Sequence, residues 1–147
     1  MHLIDFERKF MDNNQQLLDC VEKFGIEFDK KRVGESTNPH FPADMHDKYE
    51  VTFRLEDNEA TFDFYWPNWK EDTFGVDTAL NALLDDAYSL NDYPEFDPDF
   101  HNDRESFYDI VETDRKLHNL LGDKYDALMY TDSVSYTHLT LPTIYSV

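Results

Sequence analysis

Two stretches of alternating residues constrain this chain more than any other feature. Tyr49, Val51, Phe53 and Leu55 alternate with polar residues, and Ala60, Phe62, Phe64 and Trp66 do so again after Glu56-Asp57-Asn58-Glu59. A period of two marks strands with one face buried, and the short polar interruption joins them as an antiparallel hairpin. A two-residue turn at Asp57-Asn58 pairs Leu55 with Ala60, Phe53 with Phe62, Val51 with Phe64 and Tyr49 with Trp66, so all eight share one face. On the other face Glu50, Thr52 and Arg54 oppose Tyr65, Asp63 and Thr61, with Arg54 diagonal to Asp63. A slip of one residue would turn the aromatic set toward water. A ribbon of two strands is not stable alone, so its aromatic face requires a cover.

Helical stripes supply that cover. Leu3, Phe6, Phe10, Leu17, Val21 and Phe24 step by three, four or seven and end at Gly25, which predicts an amphipathic N-terminal helix; Asp12 and Gln15 could also form a capping box that splits it in two. Ile26 and Phe28 alternate with Glu27 and Asp29 as a short strand, and Gly34 to Asp47, with Pro39 and Pro42, reads as a loop. Val76, Ala79, Leu80, Leu83, Leu84 and Ala87 form a second stripe. Phe107, Ile110, Val111, Leu117, Leu120 and Leu121 form a third, begun by Asp103 as N-cap and ended by Gly122. Between these two stripes Ser89 to Asn102 is irregular or a single turn, and Lys124 to Tyr130 offers a last short helix. The expected fold is a single α+β domain over residues 1–133: an N-terminal helix, an antiparallel hairpin or three-stranded sheet, and C-terminal helices packed on its aromatic face.

Composition decides which functions such a domain can carry. The 147 residues hold 32 Asp plus Glu against 13 Lys plus Arg, a net charge of -19, but also 12 Phe, 9 Tyr and 2 Trp to fill a core. Disorder requires low hydrophobicity as well as high charge, so the chain folds. Direct nucleic-acid binding is not expected, because that affinity comes from Lys and Arg neutralising phosphates. No apolar run approaches the roughly 18 residues of a membrane span, and charges interrupt the start where a signal peptide needs an apolar stretch. The expected setting is the cytoplasm of a bacterial cell. Cys20, the only cysteine, sits on the first stripe as a small core thiol rather than a nucleophile.

The charge is uneven. From Asp85 to Arg115 eleven carboxylates (Asp85, Asp86, Asp92, Glu95, Asp97, Asp99, Asp103, Glu105, Asp109, Glu112 and Asp114) face two bases, Arg104 and Arg115, a net of 2 − 11 = −9. One reading is a solvated face that serves solubility alone. The other is an acidic surface for a basic partner, including the nucleic-acid-binding site of another protein. Mimicry of DNA is limited by spacing: Glu105, Asp109 and Glu112 share a helix face about 5–6 Å apart, against a phosphate every ~3.4 Å on a DNA strand. A rival reading is a divalent-metal enzyme using Asp97, Asp99, His101 and Asp103. Asp97-Pro98-Asp99 begins like a calcium loop, yet Asn102 stands where that loop needs Gly and Tyr108 where it needs a bidentate Glu. His40 and His46 lack the partners of a zinc site. No phosphate loop or nucleophile elbow is present, and no cofactor is expected. Tyr65, Trp66 and Trp69 near Pro67 form a candidate aromatic rim for partner binding.

Two resemblances complete the reading. Val134 to Thr143, within an uncharged run over 134–147, looks like a translated transposon-end sequencing adapter; this implies a metagenomic reading frame that runs into adapter, and gives His138 no function. The order of the hairpin ending Phe62-Asp63-Phe64-Tyr65-Trp66, the helix Ala79-Leu80-Asn81-Ala82-Leu83-Leu84-Asp85-Asp86-Ala87, an acidic-aromatic linker and a helix closing on Leu120-Leu121-Gly122-Asp123-Lys124 resembles a set of small uncharacterised bacteriophage and prophage proteins. Tyr93-Pro94-Glu95-Phe96 and Phe100-His101-Asn102-Asp103 stand in place of that family's linker motifs, without their Gly. The likeness implies an origin and a cytoplasmic setting, not a mechanism. The expected function is non-enzymatic: an accessory protein that binds a host or phage protein through its acidic surface, with occlusion of a nucleic-acid-binding site as one outcome.

Overall fold

A computed structural model describes residues 15–130. The expected stripe positions Leu3, Phe6 and Phe10, and the adapter-like tail over 134–147, lie outside the described residues. The fold is α+β, as expected. Helix α1 (15–24) leads into a three-stranded antiparallel sheet, β1 (Glu27–Glu35), β2 (His46–Leu55) and β3 (Asn58–Pro67), in the order β1-β2-β3. Helices α2 (Val76–Tyr88), α3 (Arg104–Leu121) and α4 (Tyr125–Met129) follow. Among the described residues no helix is long and apolar enough to cross a membrane.

The hairpin keeps its expected faces but takes another register. Leu55 pairs with Asn58, Phe53 with Ala60, Val51 with Phe62 and Tyr49 with Phe64. The turn is therefore Glu56-Asp57, with φ of 57° at Glu56, and every pair is shifted by two residues from expectation. A shift of two preserves the apolar face, so the aromatic pattern cannot choose between the registers; the polar face does. The observed pairing sets Thr52 opposite Thr61, hydroxyls 2.9 Å apart, and Arg54 opposite Glu59. Arg54 donates to Glu59 and to Asp29 of β1, each at 2.7 Å, and not to the expected diagonal Asp63.

Strand β1 runs through Lys30-Lys31-Arg32 to Glu35, well beyond the expected Ile26–Asp29, and the loop contracts to residues 36–45. Consecutive charges conceal its alternation. Lys30 and Arg32 lie on the same face as Phe28, at the rim of the core: Lys30 sits 4.3 Å over the Phe74 ring and pairs with Asp72, and Arg32 bonds Asp47 at 2.9 Å. Long aliphatic stems let such cations cover apolar surface while their heads stay wet. Phe74, from the β3–α2 connection, plugs this end of the core against Tyr49, Phe64 and Trp66, with ring centroids 4.8–5.1 Å away.

Leu17 and Val21 of α1, Ala79, Leu80, Leu83, Leu84 and Ala87 of α2, Leu117, Leu120 and Leu121 of α3, and Leu128 and Met129 of α4 are buried in one cluster with the aromatic face of the sheet. Helix α3 also meets β3: Lys116 donates to the Thr61 carbonyl, and Asn58 donates to the Leu120 carbonyl at 3.4 Å. This lays the helix beside β3, an edge strand, where it shields exposed strand polar groups. One expected core position fails. Val111 is 42% exposed, because the buried side of α3 is carried by Phe107, Leu117, Leu120 and Leu121 and Val111 points away from it.

Candidate functional site: an acidic groove beside an aromatic linker

The start of α3 meets the 36–45 loop across β3. Asp103 is the N-cap: its side chain accepts from Ser106 N–H at 2.8 Å, and its second oxygen lies 3.0 Å from His40 Nε2. These contacts, the Ser106 amide first and His40 next, hold the Asp103 carboxyl down at about 2. A groove of about 160 Å³ opens between the two elements. Pro39 and His40 form one wall, Asp103, Glu105 and Asp109 the other, and Tyr65 stands between them. Tyr65 is steadied from the loop by Phe41, whose ring stacks on it at 5.0 Å and 10°. No basic side chain pairs with Glu105 or Asp109 among the described residues. Burial first, and then Glu105, Asp103 and Asp63, raise the Asp109 carboxyl above its ordinary range. The groove is thus a patch of incompletely neutralised negative charge with an aromatic floor.

The other expected acidic positions are elsewhere or already engaged. Glu112 is held by Arg115, one turn along α3. Asp92 and Glu95 are exposed in the linker between α2 and α3, where Asp97 caps the Asp99 amide at 2.9 Å. Asp85 and Asp86 occupy the last turn of α2, whose C-terminal dipole disfavours negative charge. Loss of hydration raises both carboxyls, and repulsion from Asp85 helps bring Asp86 to about 6. Both side chains still reach solvent. Asp86→Asn is therefore expected to stabilise the protein at pH 7.5 by no more than an exposed helix-end charge is worth, about 0.5–1 kcal/mol. The sign follows from linkage. A folded-state value raised from 3.8 to about 6 favours folding of the wild type at low pH and loses that contribution as pH rises through 6. The advantage of the variant should be present above pH 6 and fade by about pH 4, as urea unfolding at the two pH values would read.

The four residues of the metal reading do not converge. Asp97 and Asp103 cap backbone amides, and His101 turns inward, only 5% exposed. Its Nδ1 lies 3.0 Å from the Asp97 amide nitrogen and 3.2 Å from the Asp97 carbonyl oxygen, so the ring is tied to Asp97 through Nδ1, and the buried Nε2 has no hydrogen-bond partner among the described residues. Phe96, Phe100, Phe107 and Tyr93 surround the ring, with centroids 4.9–6.1 Å away. Tyr93 and Phe100 stack on each other at 4.0 Å, and Arg104 lies over Phe96 at 4.5 Å. His101 is thus the hub of a small aromatic cluster that gives the Pro-containing linker its shape. Among the described residues no group of three or more His, Cys, Asp or Glu side chains could hold a metal ion.

The expected aromatic rim divides in the same way. Trp66 packs against Phe64 and Phe74 on the core side, Tyr65 faces the groove from the opposite side, and Trp69 stands 69% exposed with Lys70 5.3 Å from its ring. His40, which the sequence offered only as half of an incomplete zinc pair, lines the groove, and Phe41, which the sequence did not single out, supports it through Tyr65. His40 reaches the groove only because the loop folds across β3 onto an N-cap 63 positions away from it. No family model, curated protein or solved structure matches this chain.

Proposed function

We propose that this chain is a non-enzymatic accessory protein of phage or prophage type that works inside the host cell by binding a basic surface of a host or phage protein. A partner that itself binds nucleic acid is the class most suited to it, because its phosphate-binding surface is a large basic surface built to meet negative charge. The observation that carries this reading is the groove wall of Asp103, Glu105 and Asp109, of which Glu105 and Asp109 have no internal cation among the described residues. A solvated surface would gain by spacing its charges and pairing them, as Arg54 does with Asp29 and Glu59 on the open face of the sheet. Negative charge is instead concentrated around an aromatic ring, an arrangement suited to long cationic side chains that bring both charge and an apolar stem.

Capture from bacterial lysate at low ionic strength tests it. The expected result is one or a few basic proteins retained at about 50 mM salt and released by about 300 mM, as screening shortens the reach of exposed charges. Capture that is insensitive to salt, or none at all, would leave the acidity as a means of staying in solution.

A further inference from the structure

Helix α3 presents a second feature beside the acidic wall. Arg104, Tyr108, Val111 and Arg115 fall at i, i+4, i+7 and i+11, one stripe about 16 Å long that faces away from the core. Tyr108 is 59% exposed and Val111 42%, while Phe100, just ahead of the helix, is 47% exposed. Both terminal arginines are engaged, Arg104 over Phe96 and Arg115 with Glu112, so the centre of the stripe is apolar. Glu105 and Asp109 lie about 100° further round the helix, on the flank that borders the groove.

We propose that the outer face of α3 docks an amphipathic helix of a partner protein, whose apolar residues cover Tyr108 and Val111 and whose basic side chains reach Glu105 and Asp109. This rests on the acidic-interface reading above and names the form of its partner. Charge complementarity selects that occupant. A second copy, docked antiparallel across a two-fold axis, would bring the acidic flank of one α3 against the same flank of the other, and like charges would oppose the pairing. A basic helix meets the same flank with opposite charge. Apolar anchors at i, i+3 or i+4 and i+7 span two turns, about 10 Å, enough to cover Tyr108 and Val111 at the centre of the stripe.

The test uses the full chain and two synthetic peptides of identical composition, leucine and lysine. One is ordered as an amphipathic helix with leucine at those spacings; the other is permuted so that no apolar face forms. Titration calorimetry should show the ordered peptide binding about tenfold more tightly than the permuted one. Tyr108→Ser with Val111→Ser should remove that advantage while circular dichroism and thermal stability stay near wild type, since both side chains are on the surface. Equal binding of the two peptides, unchanged in the double variant, would overturn the helix-docking inference and leave a purely electrostatic interface standing. Failure of both peptides to bind at low salt would overturn the inference and its basis together.

Discussion

Phe53→Ala is expected to lower the stability of this domain by about 3–5 kcal/mol, a large share of the 5–15 kcal/mol that holds a typical domain folded. Phe53 is fully buried on the central strand. Its ring contacts Phe28 on β1 at 5.2 Å and Phe62 on β3 at 5.9 Å, so one side chain ties all three strands beneath the helices. Truncation removes both the transfer free energy of the ring and the packing around the void it leaves. Urea unfolding should show a shifted midpoint with an unchanged slope. A loss below about 1 kcal/mol would mean that the core closes over the gap, which dense aromatic packing from three strands and the helices opposes.

His101→Ala is the second large effect, an expected loss of about 2–4 kcal/mol from the combined ring void and the unpaired Asp97 amide. The comparison with His101→Phe separates the two causes. Phenylalanine refills the aromatic cage and removes the buried Nε2 atom that has no partner among the described residues, leaving the Asp97 N–H without its ring contact. It should therefore retain more than half of the lost stability. If His101 instead bound a metal, magnesium, manganese, calcium or zinc would raise the melting temperature of the wild type and not of either variant. The aromatic-hub role predicts no shift with any of the four.

The fold was legible where periodicity and burial coincide. Alternation over 49–66 located the hairpin and its buried face, and the stripes at Val76–Ala87 and Phe107–Leu121 located its cover. The register was not legible from that face. Two pairings that differ by two residues bury the same aromatics, and the difference lies in Arg54 finding Glu59 and Thr52 finding Thr61. The length of β1 was hidden because Lys30 and Arg32, which lie at the rim of the core, read as polar. Val111 was misplaced because a residue four positions from Phe107 falls within the angular tolerance of an amphipathic stripe, and only the placement of α3 against β3 shows which side is closed.

The site was legible in part. Asp103 was identifiable as an N-cap, and Glu105, Asp109 and Glu112 as neighbours on one helix face. That Glu112 is neutralised by Arg115 while Glu105 and Asp109 are not depends on which rotamers meet, and that His40 and Tyr65 line the groove, with Phe41 stacked on Tyr65, depends on a loop crossing the sheet. The dense charge from Asp85 to Asp99 drew attention in the sequence, yet Asp97 there caps its own turn. Local hydrogen bonding by Asp competes with any role toward a partner, which is why a count of carboxylates overstates a binding surface.

The decisive measurement sets the wild-type chain beside a Glu105→Gln, Asp109→Asn double variant in the same graded-salt capture. Both positions are on the surface, so the variant should unfold at the wild-type midpoint or slightly above it. The wild type is expected to retain basic proteins at low salt and release them as salt rises, and the variant to release them at markedly lower salt or fail to retain them. A variant that holds the same proteins to the same ionic strength would contradict an interface at the acidic groove.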